Sequence, residues 1–166
     1  MKNYPNVSIL IVNYNGAHLL PDCLSAVANL DYPKKLLEVI VIDNNSKDNS
    51  LDLLKKNFPT VKVVAAKENL GFTGGNNLGY EHATGDYIVL LNNDTRVERK
   101  WLKALVTAAE PKNIGIVSSK LLFDTPFLEL ELTCDIVSKS SLDNSIDFSP
   151  VGIIIEDLVC KNTQLN

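Results

Sequence analysis

The residues best suited to chemistry in this sequence are asparagines, aspartates and glycines that follow apolar runs. The chain has 18 asparagines among 166 residues, and nine of them fall in five short segments. These segments form four groups: Asn13-Tyr14-Asn15, Asp43-Asn44-Asn45, Asn69 with Asn76 and Asn77, and Asn92-Asn93-Asp94. Carboxylate and amide oxygens accept hydrogen bonds from hydroxyl and N–H groups, and carboxylates also bind hard divalent cations. The groups therefore predict recognition of a polar ligand.

Apolar runs directly before the groups predict the strands that position them. These runs are Val7 to Val12, Leu37 to Ile42, Val61 to Ala66 and Tyr87 to Leu91, and Ile114 to Ser118 predicts a fifth strand. Continuous β-branched runs are typical of strands buried on both faces of a parallel sheet. Because ligands bind at the carboxyl ends of such strands, we expect the four groups to gather on one edge of the sheet.

Apolar stripes at helical spacing predict helices between the strands. Leu19 to Val27 forms one stripe, with Pro21 in the first turn, and Trp101 to Ala109 forms another. Ser46 is placed to cap a helix that contains Leu51, Leu54 and Phe58, with Asp48 in its first turn. Asn69 to Gly79 is predicted to be a loop that leads into a short helix. This alternation predicts an α/β fold with a mostly parallel sheet flanked by helices.

The pattern weakens after Ser119, where the charge also changes. Residues 1–120 contain 14 Lys/Arg and 12 Asp/Glu, whereas residues 121–166 contain 2 and 8. Leu128 to Leu132 alternates with polar residues and predicts an antiparallel edge strand, residues 138–149 are predicted to be loop, and Val151 to Ile155 is a further apolar run. We divide the chain into a core, residues 1–125, and an acidic remainder of the same domain, residues 126–166.

Composition and missing motifs exclude several classes of protein. The chain is 45% hydrophobic and 22% charged, as in globular domains, and its pI of 5.1 argues against nucleic acid as a partner. No apolar run approaches the roughly 20 residues of a membrane span, so we expect a cytoplasmic protein. A P-loop is absent, and Gly16 alone follows the first strand where a dinucleotide-binding domain has a glycine triplet.

Four motifs, in order, provide a more specific signal. They are Val-Ser-Ile-Leu-Ile-Val-Asn-Tyr-Asn-Gly, Val-Ile-Asp-Asn-Asn-Ser, Glu-Asn-Leu-Gly-Phe-Thr-Gly-Gly-Asn-Asn and Gly-Asp-Tyr-Ile-Val-Leu-Leu-Asn-Asn-Asp. Over about residues 6–125 the chain closely resembles the family 2 inverting glycosyltransferases of GT-A fold, especially their rhamnosyltransferase-like branch. The resemblance implies transfer of a sugar from a UDP- or dTDP-linked donor to a glycan or lipid-linked acceptor, with inversion. It also implies antiparallel strands at the edge of the sheet in the C-terminal part.

The resemblance assigns residues of the first three groups to the nucleotide-sugar donor. Asn13, Tyr14 and Asp43 would hold the base and ribose, with Asn45 and Ser46 shaping the turn. Asn15 would be a further nucleotide-sugar-binding residue. The loop beneath the ribose and the donor sugar would comprise Asn69, Gly71, Gly75, Asn76 and Asn77. The alternative interpretation is purely structural. Asp and Ser also form turns and helix caps, and Gly and Asn also occur where the backbone adopts a positive φ angle.

The fourth group stands where the family has its metal-binding motif. Asp94 is the implied ligand of Mg²⁺ or Mn²⁺, a cation that would bridge the two donor phosphates, while Asn92 and Asn93 line the donor site. Asn92 replaces the usual first acid, and this change removes one negative charge from the site. Asn-Asn-Asp-Thr is also a plausible turn sequence, which is the structural alternative.

The resemblance also implies a catalytic base. The family uses an acid well beyond the metal motif, and Glu156-Asp157 is the one Glu-Asp pair in this chain. The pair lacks aromatic neighbours, so an acidic strand end facing solvent is the favoured interpretation, with Asp157 and then Glu156 as base candidates. A nucleotide-sugar-binding fragment without activity is therefore an alternative. A nucleotidyltransferase is disfavoured because its glycine-rich loop is missing after the first strand.

The resemblance leaves the wider setting of the protein open. A saccharide or lipid-linked acceptor is the implied second substrate. A homodimer, and peripheral association with the inner face of the membrane through partners, are both compatible with the resemblance.

Overall fold

A six-stranded sheet flanked by helices forms the fold. The structure is a computed structural model that describes residues 4–111, 113–120 and 158–161. The strands are β1 (Val7–Asn13), β2 (Leu37–Asp43), β3 (Lys62–Ala65), β4 (Tyr87–Leu90), β5 (Ile116–Ser118) and β6 (Leu158–Lys161). The α-helices are α1 (Leu20–Ala28), α2 (Ser50–Asn57), α3 (Gly71–Glu81) and α4 (Trp101–Ala108), and Lys34–Leu36 forms a short 3₁₀ helix before β2.

The strand order is β3-β2-β1-β4-β6-β5, and the first four strands are parallel. Asn13 and Asp43 are partners in the register of β1 and β2, so these two groups end at the same level. The backbone of β6 pairs antiparallel with β4 on one side and with β5 on the other. The predicted α/β class, with a mostly parallel sheet and antiparallel pairing in the C-terminal part, is therefore confirmed.

Alternate residues of the central strands face two hydrophobic layers. Ile9 and Ile11 of β1 pack on the side that carries α1, α2 and α4, together with buried residues such as Leu24, Leu54 and Leu102. Leu10, Ile40 and Ile42 face the other side, which α3 covers. The central strands are buried on both faces, which explains why they have continuous apolar sequences.

The segment after β3 is more helical than the sequence predicts. Helix α3 begins at Gly71, so the expected loop from Asn69 is mostly the first two turns of a helix. Gly75 and Gly79 lie one turn apart on the face that meets the sheet. A Cβ atom on Gly75 would lie 2.8 Å from Val12 Cγ1, and one on Gly79 would lie 2.6 Å from Ile42 Cδ1. Close packing against the sheet therefore outweighs the low helix propensity of glycine.

Ser46 does not cap α2, so the prediction that it does is wrong. The helix begins at Ser50, after Asn49, and Asp48 supplies a carboxylate that accepts hydrogen bonds from the Ser50 N–H and hydroxyl. The other carboxylate oxygen of Asp48 accepts the Ala17 N–H at 2.9 Å. Burial alone would raise the pKa of Asp48, but these hydrogen bonds hold it below its ordinary value. Asp48 thus joins the loops after β1 and β2.

At the opposite edge of the sheet, Glu38 of β2 joins the starts of β1 and β3 and the segment before β4. Its carboxylate accepts hydrogen bonds from the Ser8 hydroxyl at 2.6 Å and the Thr84 N–H at 3.0 Å, and it lies 3.6 Å from Lys62 Nζ. Burial alone would raise the pKa of Glu38, but the hydrogen bonds and the lysine charge outweigh burial and lower the pKa from its ordinary value of 4.5.

We expect Glu38→Gln to remove one acid-dependent component of stability. Because the folded pKa lies below the unfolded value, ionised Glu38 stabilises the native state above pH 4.5, and this stabilisation is lost as the pH falls through the folded pKa. At neutral pH the variant should be less stable by about 1 kcal/mol, discounted for partial exposure. Urea unfolding of both proteins from pH 7 to pH 3 measures this difference. A gap that stays constant over the whole range would contradict the role of Glu38.

Among residues 4–111, 113–120 and 158–161, no helix is both long and apolar enough to cross a lipid bilayer.

Candidate nucleotide-sugar site

Side-chain hydrogen bonds join the ends of β1, β2 and β4 into one polar cluster. Asn13 is fully buried, and its amide donates to Asp43 Oδ1 and to Ser46 Oγ, both at 3.2 Å. Its own oxygen accepts a hydrogen bond from Asn93 Nδ2 at 2.9 Å. The Ser46 N–H donates to the second oxygen of Asp43 at 3.0 Å. Three of the four predicted groups therefore meet through Asn13, at the carboxyl edge where the parallel topology places them.

Asp43 is the charged centre of this cluster. It is 1% exposed, and among the described residues each of its two oxygens accepts a hydrogen bond. A carboxylate has about four acceptor positions, so its oxygens can accept more hydrogen bonds than these two. A buried carboxylate with fixed neighbours is well suited to accept a hydrogen bond from a donor that reaches it.

Two turns with left-handed backbone frame the cluster. Asn15 has φ = 52° and Asn45 has φ = 63°, conformations that asparagine adopts more readily than most residues. The Asn15 N–H donates to Ser46 Oγ at 2.9 Å, and the Lys47 N–H donates to Asn15 Oδ1 at 2.7 Å. Ser46 thus bridges the two turns, in place of the predicted helix cap. Asn45 Oδ1 accepts from Lys47 Nζ at 2.8 Å.

Gly16 leaves room for the link between β1 and β4. A Cβ atom at this position would lie 2.5 Å from Asn13 Oδ1 and closer still to Asn93 Nδ2, the two atoms that form the hydrogen bond. In the sequence, the position of Gly16 after Asn15 was the only sign of this close packing. The contact between Gly16 and Asn93 could not be predicted, because it depends on which strand lies next to β1.

We expect Gly16→Ala to separate Asn93 from Asn13 and to lower the free energy of unfolding by about 2 kcal/mol. Thermal unfolding measures the loss. Gly115→Ala is the matched control, because apart from residue 115 and its two chain neighbours no described atom lies within 4 Å of the added methyl group. Equal melting temperatures for the two variants would refute the close packing at Gly16.

The glycine-rich segment lies beside the cluster at the start of α3. Gly71 has φ = 69°, and its N–H donates to Asn69 Oδ1 at 2.9 Å. Asn76 is buried and donates to the Phe72 carbonyl within the helix, whereas Asn77 is exposed. Gly75 packs against the end of β1, where a Cβ atom on it would lie 2.8 Å from Val12 Cγ1.

Asp94 and Tyr14 are among the predicted residues that are open to solvent beside the cluster. Asp94 is exposed just beyond the end of β4, and Tyr14 is 49% exposed just beyond β1. Asn92, between β4 and Asp94, is half-buried, and its backbone carbonyl accepts a hydrogen bond from the Cys23 thiol.

The described residues contain no group of three or more His, Cys, Asp or Glu side chains that could hold a metal ion by themselves. A cation at Asp94 would therefore need ligands beyond those that the described side chains supply, such as waters and substrate phosphates. Mg²⁺ is often bound in this way, by one or two carboxylates together with waters and substrate phosphates.

The base candidates Glu156 and Asp157 lie outside the described residues, as do the predicted strand at Leu128 to Leu132, the 138–149 loop and the 151–155 run. Sequence reasoning missed Asn44, which is 1% exposed and lies between Asp43 and Asn45. Its place inside the second group was the available signal, but neither its burial nor its contact with α3 can be derived from the local pattern.

This chain belongs to Glycosyl transferase family 2, because the family model matches residues 8–126. It is 28% identical over 125 residues to glycosyltransferase AglE of Haloferax volcanii, in an alignment covering 74% of this chain and 41% of that protein. It is 36% identical over 119 residues to the poly(ribitol-phosphate) beta-glucosyltransferase of Bacillus spizizenii, covering 69% of this chain and 19% of that protein.

A solved structure shows the same fold. The mannosyltransferase PcManGT from Pyrobaculum calidifontis, in complex with GDP-Man and Mn²⁺, matches with a TM-score of 0.65 at 27% identity, covering 70% of this chain and 36% of that chain. The predicted family and GT-A fold are therefore confirmed. The chain spans at most 41% of the length of these three proteins.

Proposed function

We propose that this chain binds a nucleotide-diphosphate sugar and belongs to an inverting, metal-assisted glycosyltransferase. The observation that carries the proposal is the hydrogen-bonded cluster of Asn13, Asp43 and Asn93, with the exposed Asp94 beside it. Family membership supports glycosyl transfer. The structure of the mannosyltransferase PcManGT was solved in complex with the nucleotide sugar GDP-Man and Mn²⁺. The donor that we propose is UDP- or dTDP-linked, and the acceptor is a glycan or a lipid-linked saccharide.

The proposed roles follow the geometry of the edge. Asp43 accepts a hydrogen bond from the base or ribose, and Asn13 holds its carboxylate in place. Tyr14, exposed beside them, offers a ring for contact with the nucleotide. The turns of Asn15 and Asn45 shape the floor of the site.

The remaining roles lie on the phosphate and sugar side of the donor. The first turns of α3, with Gly71 and Gly75, pass beneath the ribose and donor sugar, flanked by Asn69, Asn76 and Asn77. Asn92 and Asn93 line the site next to Asp94. Asp94 would hold Mg²⁺ or Mn²⁺, which when bound would neutralise the phosphate charge that develops as the diphosphate departs.

A test of activity is to incubate the chain with Mn²⁺, a mixture of saccharide acceptors and UDP-, dTDP- or GDP-linked hexoses, and to measure release of the nucleoside diphosphate. We expect release from a UDP- or dTDP-linked sugar and none from the GDP-linked sugar. Release from the GDP-linked sugar alone would contradict the proposed donor class.

A second candidate function is binding of the nucleotide sugar without transfer. It is favoured by one observation: the chain spans at most 41% of the relatives described above. Saturable binding of UDP or dTDP with no release of diphosphate from any donor would support this candidate. Clear turnover would exclude it.

A further inference from the structure

Asn44 connects three segments of the candidate site, although the proposed function gives it no role. It follows Asp43 at the end of β2, and its side chain is 1% exposed. Its backbone N–H donates to the Asn13 carbonyl at 2.8 Å, which fixes it to the end of β1. Its side-chain amide donates to the Gly71 carbonyl at 2.9 Å, which reaches the first residue of α3.

The first turn of α3 lies tightly on this side chain. Gly75 comes one turn after Gly71, and a Cβ atom on it would lie 3.1 Å from Asn44 Nδ2 and 2.8 Å from Val12 Cγ1. Such distances are at or below the limit of ordinary packing, so the helix start has little freedom to move toward the sheet. The hydrogen bond from Asn44 limits movement in the other direction.

The orientation of the amide is set by α3. Asn44 Oδ1 is buried and has no hydrogen-bond partner among the described residues. If the amide were rotated by 180°, its oxygen would face the Gly71 carbonyl, and two acceptors would oppose each other. The amide therefore directs its N–H toward α3 and leaves its oxygen unpaired, a cost that buried polar groups seldom carry without a reason.

We propose that Asn44 is a positioning residue that fixes the first turn of α3 against the ends of β1 and β2, and so holds the glycine-rich segment in place for the nucleotide donor. This role rests on the proposed function, since it acts on donor affinity through α3. Asn44 itself is buried and does not need to touch the donor.

The test combines hydrogen–deuterium exchange with nucleotide binding in Asn44→Ala and Asn44→Asp. The aspartate variant keeps the size of the side chain but replaces the donor with an oxygen. We expect exchange of the amides at 71–76 to accelerate about tenfold relative to those of β1, and the Kd for UDP or dTDP with Mn²⁺ to rise about tenfold. If Asn44→Ala fails to fold, Asn44→Ser takes its place.

Tyr32→Phe is the matched control. It removes a single hydrogen bond, from a buried Tyr32 hydroxyl to the Pro5 carbonyl at 2.8 Å, on the side of the sheet that α3 does not cover. We expect it to lower stability without changing exchange at 71–76 or the nucleotide Kd. This comparison separates a general loss of stability from a local effect on α3.

Each outcome decides one part of the proposal. Unchanged exchange at 71–76 in the Asn44 variants would overturn it, and so would faster exchange with an unchanged Kd. If the unaltered chain binds neither nucleotide, the proposed function fails and the donor role fails with it, whereas faster exchange would still support the structural role of Asn44 in α3.

Discussion

Asp94→Asn is expected to abolish the metal dependence of nucleotide binding. The Asp94 carboxylate is exposed just beyond β4, next to Asn93, whose side chain donates a hydrogen bond to the buried Asn13. The amide of asparagine keeps the shape of the side chain but removes its negative charge, and a hard cation is held mainly by charged oxygen ligands. We expect the Kd for UDP or dTDP in the presence of Mn²⁺ to rise about 100-fold, or ~2.7 kcal/mol.

Two comparisons make this result specific to the metal. In EDTA, Asp94→Asn and the unaltered chain should bind the nucleotide equally weakly. Asp86→Asn is the matched control, because Asp86 is also an exposed carboxylate beside β4 but lies at the opposite edge of the sheet. If Asp94→Asn retained full Mn²⁺-dependent affinity, Asp94 would not be the metal ligand.

Gly85→Ala is expected to produce the largest loss of stability among single methyl additions. A Cβ atom at this position would lie 2.5 Å from the Ser8 backbone nitrogen and 2.8 Å from the Val7 carbonyl carbon. Both atoms belong to the backbone of β1, which lies in the middle of the sheet and cannot move without disturbing its pairing with β2 and β4. The Gly85 N–H also donates to the buried Ser8 hydroxyl at 2.8 Å.

We expect Gly85→Ala to lower the free energy of unfolding by about 3 kcal/mol and the melting temperature by about 6–12 °C. Urea unfolding followed by circular dichroism measures the change. Gly115→Ala again serves as the control and should stay within about 0.5 kcal/mol of the unaltered chain. A Gly85→Ala variant as stable as this control would show that β4 does not enter the sheet in the described arrangement.

The sequence predicted the central strands well, because their burial on both faces demands continuous apolar runs such as Val7 to Val12. It also predicted that polar groups would meet at one edge, because parallel strands end at the same edge of the sheet. The segment from Gly71 was predicted to be a loop that leads into a short helix, because local propensity disfavours glycine in helices. The helix begins earlier than predicted, where Gly75 and Gly79 pack closely against Val12 and Ile42.

Contacts that depend on strand order could not be predicted. The hydrogen bond between Asn13 and Asn93 exists because β4 lies next to β1, a neighbour relation that no local pattern encodes. The same holds for the backbone of Leu158–Lys161, which enters the sheet between β4 and β5 from far along the chain. Ser46 was predicted as a cap because its residue type suits that role, but its hydroxyl instead joins two turns.

The most direct test of the central claim is a calorimetric titration of the unaltered chain with UDP and dTDP, in Mn²⁺ and in EDTA. We predict one saturable site per chain for at least one of the two nucleotides, with affinity that falls when the metal is removed. Absence of saturable binding of either nucleotide in Mn²⁺ would contradict a nucleotide-sugar site at the carboxyl edge of this sheet.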